Sequence, residues 1–336
     1  MSEIKLSVIV PVYNRDEELS ALLDSLKRQA IHEGYEVIVV DDGSETSPEY
    51  LTEKYKAEVP LTFIRQKNQG PGPARNTGAQ IAGGQWFLFL DSDCELPDGY
   101  LNTAFRIIND SEEKGVSLVG GPDVDREDFT LLQKAINYAM TSPLTTGGIR
   151  GSKRALDKYY PRSFNMLVSQ QAFNDAGGFA PLRFGEDLDL SMRILSGGGK
   201  SLFEPGLEVV HRRRTSLKAF FKQVFNSGMA RIVLNRRHPG TLRAVHLVPS
   251  FFVLFVIFLP LIIIWMPWVL YFCMTAAFGL ILHAFICTNS LLVSFLSLAT
   301  SFVQLSGYGL GLMFGWYRFT LRGHKTEYAF TESFYD

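Results

Sequence analysis

Carboxylates recur where apolar runs end. Asp41 and Asp42 follow YEVIVV, Asp91 and Asp93 follow WFLFL, and Glu186, Asp187 and Asp189 stand together in GEDLDL. An unpaired buried charge is costly, so acids beside buried strands need a reason. Asp91 and Asp93 are two residues apart, and on an extended segment such residues face one side. Both can then point at one ion, and an oxygen-rich pair suits Mg2+ or Mn2+. An ion held there can stabilise charge on a departing diphosphate. Asp42 can accept a hydrogen bond from a ring N–H of uracil or guanine. A carboxylate in GEDLDL can remove the proton of an attacking hydroxyl. Each pattern also has a structural reading. Asp93 could cap a turn, Asp42 could close an Asx-turn over D-G-S, and acids at a helix start are favoured by its dipole. His211, after LEVV, is a structural histidine unless the fold brings it to Asp93, where it becomes a metal-ligand candidate.

The elements that position these groups follow from hydrophobic periodicity. LSVIVPVY, YEVIVV, LTFIRQ and WFLFL read as four buried strands, each a short apolar run. Leu19, Leu22, Leu23 and Leu26 mark a helix over Asp16–Gln29, and Pro73–Ile81 reads as another. Alternating strands and helices predict a mostly parallel sheet with both faces covered. Ligands of such sheets bind beyond the carboxyl ends of the strands, where two of the four ends carry acid pairs. VSLVGGP suggests a further strand. Residues 123–160, rich in Gly, Ser, Thr and aromatics, suggest a mobile loop with a helix near Thr130–Met140. A helix begins at GED, with Leu188, Met192 and Leu195 on one face.

Charge divides the chain. Residues 1–211 hold 31 acidic and 21 basic side chains, whereas residues 212–243 hold nine Lys or Arg and no acid. From Ala244 to Tyr317 there are 74 residues without Asp, Glu, Lys or Arg. About 20 apolar residues cross a bilayer, so this run has room for two or three membrane segments, near 247–266, 268–287 and 291–315. A basic collar beside them reads as a cytoplasmic flank and can also attract phosphate-bearing lipid through Arg212, Arg214 and Arg231. Ser216–Arg236 has the amphipathic pattern of a membrane-surface helix. Three spans put Arg318, Arg322 and Lys325 on the far side, against the positive-inside tendency, whereas two spans plus a re-entrant or interfacial piece keep them inside. Three segments are favoured slightly, with the side of the C-terminus left open. MSEIK leads straight into the first strand, so the N-terminal domain is expected in the cytoplasm. The expected organisation is a catalytic domain over 1–211, a basic interface region over 212–243, membrane segments over 244–317 and a tail over 318–336. Cys94, Cys273 and Cys287 are too scattered for a disulfide framework or a zinc site.

Six motifs in order carry a resemblance: PVYN (Pro11–Asn14), DDGS (Asp41–Ser44), NQGPGPARNTG (Asn68–Gly78), DSD (Asp91–Asp93), GGF with GEDLDL (Gly177–Leu190), and PGLEVVH (Pro205–His211). Together they resemble the family 2 glycosyltransferases, across roughly residues 5–235. The resemblance implies an α/β GT-A fold, a nucleotide-sugar donor and inversion of configuration in one displacement. It places Pro11, Tyr13, Asp42, Arg75, Asp91 and Ser92 on the donor, with Asp42 and Arg75 at the base and ribose. It makes Asp93 the direct metal ligand with Asp91 beside it, His211 a second ligand, and Asp187 the base, supported by Glu186. The cofactor implied is Mn2+ or Mg2+. The tail is similar to succinoglycan-type exopolysaccharide transferases of bacterial inner membranes, with Gly228–Arg231 as a G-x-x-R-like stretch.

Departures narrow this expectation. Processive members carry Q-x-x-R-W, but Gln223 leads into QVFNS, so one sugar per acceptor is expected. The expected acceptor is a hydroxyl of a polyprenyl-linked oligosaccharide, and no nucleic-acid partner is expected. The alternative is a polyprenyl-phosphate glycosyltransferase of the dolichyl-phosphate-mannose-synthase type, whose ionised acceptor needs no base. A dinucleotide-dependent oxidoreductase fits poorly, because Gly70-Pro71-Gly72 lacks the third glycine and does not follow the first strand. A scaffold that has lost activity fits poorly as well, because every acidic motif position is occupied.

Overall fold

The computed structural model describes residues 4–31, 34–124, 129–146, 159–182, 184–211 and 215–324. They form two compact units. The first is built from residues within 1–124 and 156–212, the second from residues within 125–155 and 213–327.

The first unit is an α/β sandwich. Its elements run β1 (Leu6–Val12), α1 (Asp16–Lys27), β2 (Tyr35–Asp41), α2 (Glu49–Tyr55), β3 (Leu61–Arg65), α3 (Pro71–Ile81), β4 (Trp86–Leu90), β5 (Cys94–Glu95), α4 (Tyr100–Lys114), β6 (Leu118–Gly120) and β7 (Asp123–Val124). After a long excursion the unit resumes with β8 (Asn165–Ser169), α7 (Gln170–Asp175), α8 (Glu186–Ser196), β9 (Ser201–Phe203) and β10 (Val209–His211). The excursion carries α5 (Leu131–Thr141) and α6 (Pro143–Thr146) into the second unit.

Seven strands form the main sheet in the order β3-β2-β1-β4-β8-β6-β9. β8 runs antiparallel to both its neighbours, and the other pairings are parallel. All residues of β1 and β4 are buried, as continuously apolar strands covered on both faces must be. Leu19, Leu22, Leu23 and Leu26 of α1 are buried in the core on one side of the sheet, and Phe87, Phe89, Phe173 and Phe179 pack on the other. The strand order reverses between β1 and β4, the switch point at which an open α/β sheet binds ligands. A small sheet, β5-β10-β7, stands beyond the end of β4.

α3 carries Arg75 toward that crevice, and a glycine sets its distance from the sheet. A Cβ on Gly78 would lie 2.6 Å from Ile9 Cγ2 and 3.2 Å from Val40 Cγ2. A larger residue must push α3 away from β1 and β2.

The second unit contains α5 and α6, then α9 (Leu217–Arg237), α10 (Ala244–Trp265), α11 (Trp268–Thr288) and α12 (Leu291–Gly315), which continues as a π-helical stretch over Trp316–Leu321. Three of its helices, Ala244–Trp265, Trp268–Thr288 and Leu291–Leu321, are long and apolar enough to cross a membrane. The expected boundary at residue 211 is crossed by α5. Its Ile136, Ala139 and Met140 form one buried cluster with Phe220 and Val224 of α9, so packing assigns it to the second unit. The expected mobile loop contains α5 and α6, with Thr130 closing a capping box at the start of α5. The rest of that stretch, 125–128 and 147–158, lies outside the described residues. Tryptophan-monitored unfolding of the purified full chain should show Gly78→Val destabilised by about 1–3 kcal/mol, the usual cost of overpacking a close contact.

Candidate active site

Three chain turns meet at the carboxyl ends of β1, β2 and β4. Asn14, at the end of PVYN, donates its N–H to Ser44 Oγ at 2.9 Å and accepts from Glu45 N–H at 2.8 Å through Oδ1. The first and second motifs are thus tied to each other. Asp41, not Asp42, closes the D-G-S turn, accepting from Ser44 N–H at 2.9 Å. Asp42 is buried and holds the start of the third motif. It accepts from Gln66 Nε2 at 2.7 Å, Gln69 N–H at 2.9 Å and Gly70 N–H at 2.6 Å. Burial raises the Asp42 carboxyl above its usual range, although these donors oppose the shift. Three protein donors leave it about one of its four acceptor positions for a base. Pro11 is buried in β1, Tyr13 is half-buried just beyond that strand, and Ser92 is buried between the two DSD carboxylates.

Arg75 joins the third, fourth and fifth motifs. Its buried guanidinium donates to Asp91 Oδ1 at 2.5 Å and to Glu186 Oε1 at 3.1 Å. Burial opposes the positive charge, and the two carboxylates more than restore it. Asn76 exchanges two 2.8 Å hydrogen bonds with the backbone of Phe179, fixing the chain just before GEDLDL. α8 then starts at Glu186 with three acids in its first turn. Asp189 takes the structural reading: it is fully buried and pairs with Arg193 at 2.8 Å. Asp187 pairs with Arg162 at 3.4 Å, and its other oxygen accepts from Leu188 N–H at 2.7 Å. Burial first, and the neighbouring Asp187 second, push the Glu186 carboxyl up to about 7, against the pull of Arg75.

The remaining expected group arrives through the small sheet. β10 pairs antiparallel with β5, so that His211 stands opposite Cys94. That register places His211 Nε2 3.1 Å from Asp93 Oδ1. The imidazole stacks on Phe164 with ring centroids 4.9 Å apart, which fixes its plane. The fold therefore meets the condition on which His211 becomes a ligand candidate. Candidate ligand atoms of Asp93, Cys94 and His211 lie within 4.8 Å of one another. Cys94 is a poor member of that set, because burial holds its thiol well above its usual range and keeps it protonated. A carboxylate and an imidazole remain, a donor pair that can bind a divalent cation.

Two side chains at the site had no place in the sequence expectations. Arg15 donates to Asp93 Oδ2 at 2.5 Å, so Asp93 sits between a guanidinium and an imidazole. Arg162 is the partner of Asp187. A basic residue next to PVYN was the available signal for Arg15, whereas Arg162 lies in no motif. Of the expected lipid-side residues, Arg231 lies half-buried in α9 of the second unit, and Arg212 and Arg214 lie outside the described residues.

Residues 7–183, just over half of the chain, match the Glycosyl transferase family 2 profile. The chain belongs to glycosyltransferase family 2. An uncharacterized glycosyltransferase of Haemophilus influenzae is 45% identical over 196 residues, covering 56% of this chain and 62% of that protein. A pre-mycofactocin glycosyltransferase of Mycobacterium tuberculosis is 30% identical over 243 residues, covering 70% of this chain and 48% of that one. The chain thus matches between about half and just under two thirds of the length of these relatives. The mannosyltransferase PcManGT of Pyrobaculum calidifontis, in complex with GDP-Man and Mn2+, is similar with a TM-score of 0.61 at 17% identity, over 89% of this chain and 86% of that one. This likeness shows the fold, a GT-A-like α/β domain with a mostly parallel sheet.

The elevated Glu186 carboxyl has a stability consequence. Its folded pKa of about 7 lies above the unfolded carboxylate value. The stabilising contribution of the protonated group is therefore complete below about pH 4 and is lost as pH rises through about 7. Glu186→Gln mimics the protonated form at every pH. Melting temperatures of wild type and variant should diverge with pH, with the wild type losing ground to Glu186→Gln between pH 5 and pH 8.

Proposed function

We propose that this chain transfers one sugar, with inversion, from a nucleotide-sugar, a UDP-sugar, to a hydroxyl of a polyprenyl-linked oligosaccharide. The reaction takes place at the cytoplasmic face of a bacterial inner membrane, in polysaccharide assembly. The observation that carries this reading is the convergence of DSD, GED and the PGLEVVH histidine. Arg75 binds Asp91 to Glu186, and Asp93 lies 3.1 Å from His211.

In this reading each residue has a task. Asp42 and the turn it holds receive the base, with Pro11 and Tyr13 beside it. Asp91 and Ser92 line the donor side, and Arg75 keeps Asp91 oriented. Asp93 and His211 hold Mn2+ or Mg2+, which supplies positive charge to a departing diphosphate. Asp187 takes the hydroxyl proton, and Arg162 orients its carboxylate. Burial in a site already crowded with carboxylates favours protonated Glu186, which leaves Asp187 as the proton acceptor beside it. One such base and no second placed nucleophile among the described site residues support inversion. Arg212, Arg214 and Arg231 supply positive charge for the acceptor's phosphates. The relatives named as glycosyltransferases support the reaction class, and the GDP-Man and Mn2+ of the Pyrobaculum enzyme support nucleotide-sugar and metal.

The test is a screen of nucleotide-sugars for metal-dependent nucleotide release by the membrane-embedded chain, followed by extraction of the lipid product. Asp187→Asn should lower transfer to a hydroxyl acceptor by roughly 10²–10⁴-fold, the usual contribution of a general base. Unchanged transfer would remove Asp187 from that role, and Asp187-independent transfer to a polyprenyl phosphate would favour the phosphate-acceptor alternative. Arg15 gives a separate prediction. Its guanidinium and a divalent cation compete for Asp93, so Arg15→Gln should tighten Mn2+ binding several-fold, and His211→Ala should weaken it. Titration followed by Mn2+ electron paramagnetic resonance reads both without any turnover.

A further inference from the structure

The three apolar helices of the second unit have different surroundings. α10 and α11 are joined across Met266 and Pro267, and their buried residues are His246, Val253, Val269 and Ala284 alone. With 22 and 21 residues they extend roughly 33 and 32 Å at about 1.5 Å per residue. That length matches a hydrocarbon core of roughly 30 Å.

α12 with its π-helical extension is 31 residues, roughly 46 Å, well beyond that thickness. One side of it is buried along its length and is built from small or polar residues, including Ser294, Ser297, Thr300, Gln304, Gly307 and Gly311. Its first half lies on α5, where Thr300 Oγ1 donates to the Ala135 carbonyl at 2.8 Å. Its second half lies on α9 almost backbone to backbone. A Cβ on Gly228 would come 2.2 Å from the Tyr308 carbonyl oxygen, and one on Gly311 would come 1.9 Å from that of Phe225. Further along, Arg236 donates to the Phe319 carbonyl at 3.0 Å. α9 carries Lys218, Lys222, Arg231, Arg236 and Arg237 and no acid. If α12 crossed a bilayer, α9 would run beside it from Val224 to Arg236 and take Arg231 into hydrocarbon, where a charged side chain is costly.

The opposite side of α12 is apolar and largely exposed, with Phe302 also meeting Phe252 of α10 at a ring-centroid distance of 5.7 Å. Leu292, Phe295, Phe302, Leu310, Phe314 and Leu321 are exposed in one stripe at helical spacing. The exposed cations Lys218, Lys222 and Arg236 of α9 suit anionic lipid head groups. The base of α10 passes beside the same helix, with Ser250 Oγ donating to the Gly309 carbonyl at 3.2 Å, so the stripe is continuous with the apolar hairpin.

We propose that α10 and α11 alone span the membrane, and that α12 lies along its surface with this stripe seated on the acyl boundary. The partner of the exposed face is the lipid bilayer. The proposal rests on the membrane reading given above. It leaves Arg318 and Arg322 on the same side as the basic face of α9, in keeping with the positive-inside tendency.

Sealed membrane vesicles of both orientations, carrying the full chain without Cys273 and Cys287, provide the test. Single cysteines are introduced as Ser216→Cys, Met266→Cys and His324→Cys, and labelled with a membrane-impermeant maleimide. The expected result is labelling of Met266→Cys from one side, and of Ser216→Cys and His324→Cys from the other, each with at least about tenfold preference. Labelling of His324→Cys from the Met266→Cys side means that α12 spans, and overturns the proposal while leaving the membrane reading intact. Labelling of Ser216→Cys and Met266→Cys from one side removes the membrane reading itself and the proposal with it. Depth measurements give a second readout. Nitroxides at Phe295, Phe302 and Phe314 should report one common depth. A spanning helix would separate them by roughly 10 and 18 Å along its axis, which overturns the proposal.

Discussion

A single buried guanidinium holds the site together. Arg75 donates to carboxyl groups on two sides, Asp91 from the end of β4 and Glu186 from the start of α8. The two are distant in sequence and belong to separate motifs. Arg75 is itself the buried charge, and a buried charge stripped of its partners costs about 3–5 kcal/mol. In the proposed reading Arg75 brings the group on the donor side within reach of the groups on the acceptor side. Its own position depends on α3 lying close to the sheet, which Gly78 permits by presenting no side chain to Ile9 and Val40.

Asp93 is governed by a different balance. Arg15 reaches it from the β1–α1 turn and His211 from the small sheet. The arginine neutralises the carboxylate while adding nothing to a coordination shell, since guanidinium nitrogens do not ligate metals. The histidine can join the shell, because its neutral ring offers a lone pair. In the proposed reading a divalent cation must displace Arg15 while keeping His211. Affinity for the ion is then set by the difference between two interactions of one carboxylate. Phe164 contributes to that difference by stacking on the imidazole and limiting its rotation.

Much of this was legible from residues 6–93. Strand ends, acid pairs and the parallel sheet were all readable there because continuous apolar runs and their terminators are local signals. β4 begins and ends where WFLFL does. β7, β9 and β10 are only two or three residues long, too short for a periodic signature. β8 is missing from the sequence reading as well, although it sits at the centre of the sheet, because NMLVS is brief and runs directly into α7. The contact between His211 and Asp93 depends on the register of two such short strands, and no spacing rule spans the intervening residues. Asp42 illustrates a subtler limit. Its place at a strand end was readable, but its role as the tether of Gln66, Gln69 and Gly70 depends on a loop conformation that propensity does not specify.

The apolar C-terminal run shows where composition stops being informative. A window of hydropathy admits α10, α11 and α12 alike, although its mean falls from 2.9 through 2.1 to 1.4, because none contains a charge before Arg318. What separates them is the side on which the apolar residues fall and the charge of the helix lying on the other side. α10 and α11 are apolar around most of their circumference, apart from contacts such as His283 with Tyr138 and Ser250 with Gly309. α12 instead alternates a face of Ser, Thr, Gln and Gly with a face of Leu and Phe. A face of hydroxyls and glycines suits close helix packing inside a bilayer too. The deciding term is therefore the neighbour, since α9 carries five cations and α10 carries none. Position in the membrane is in this sense a property of the helix pair, and the sequence of α12 by itself does not contain it.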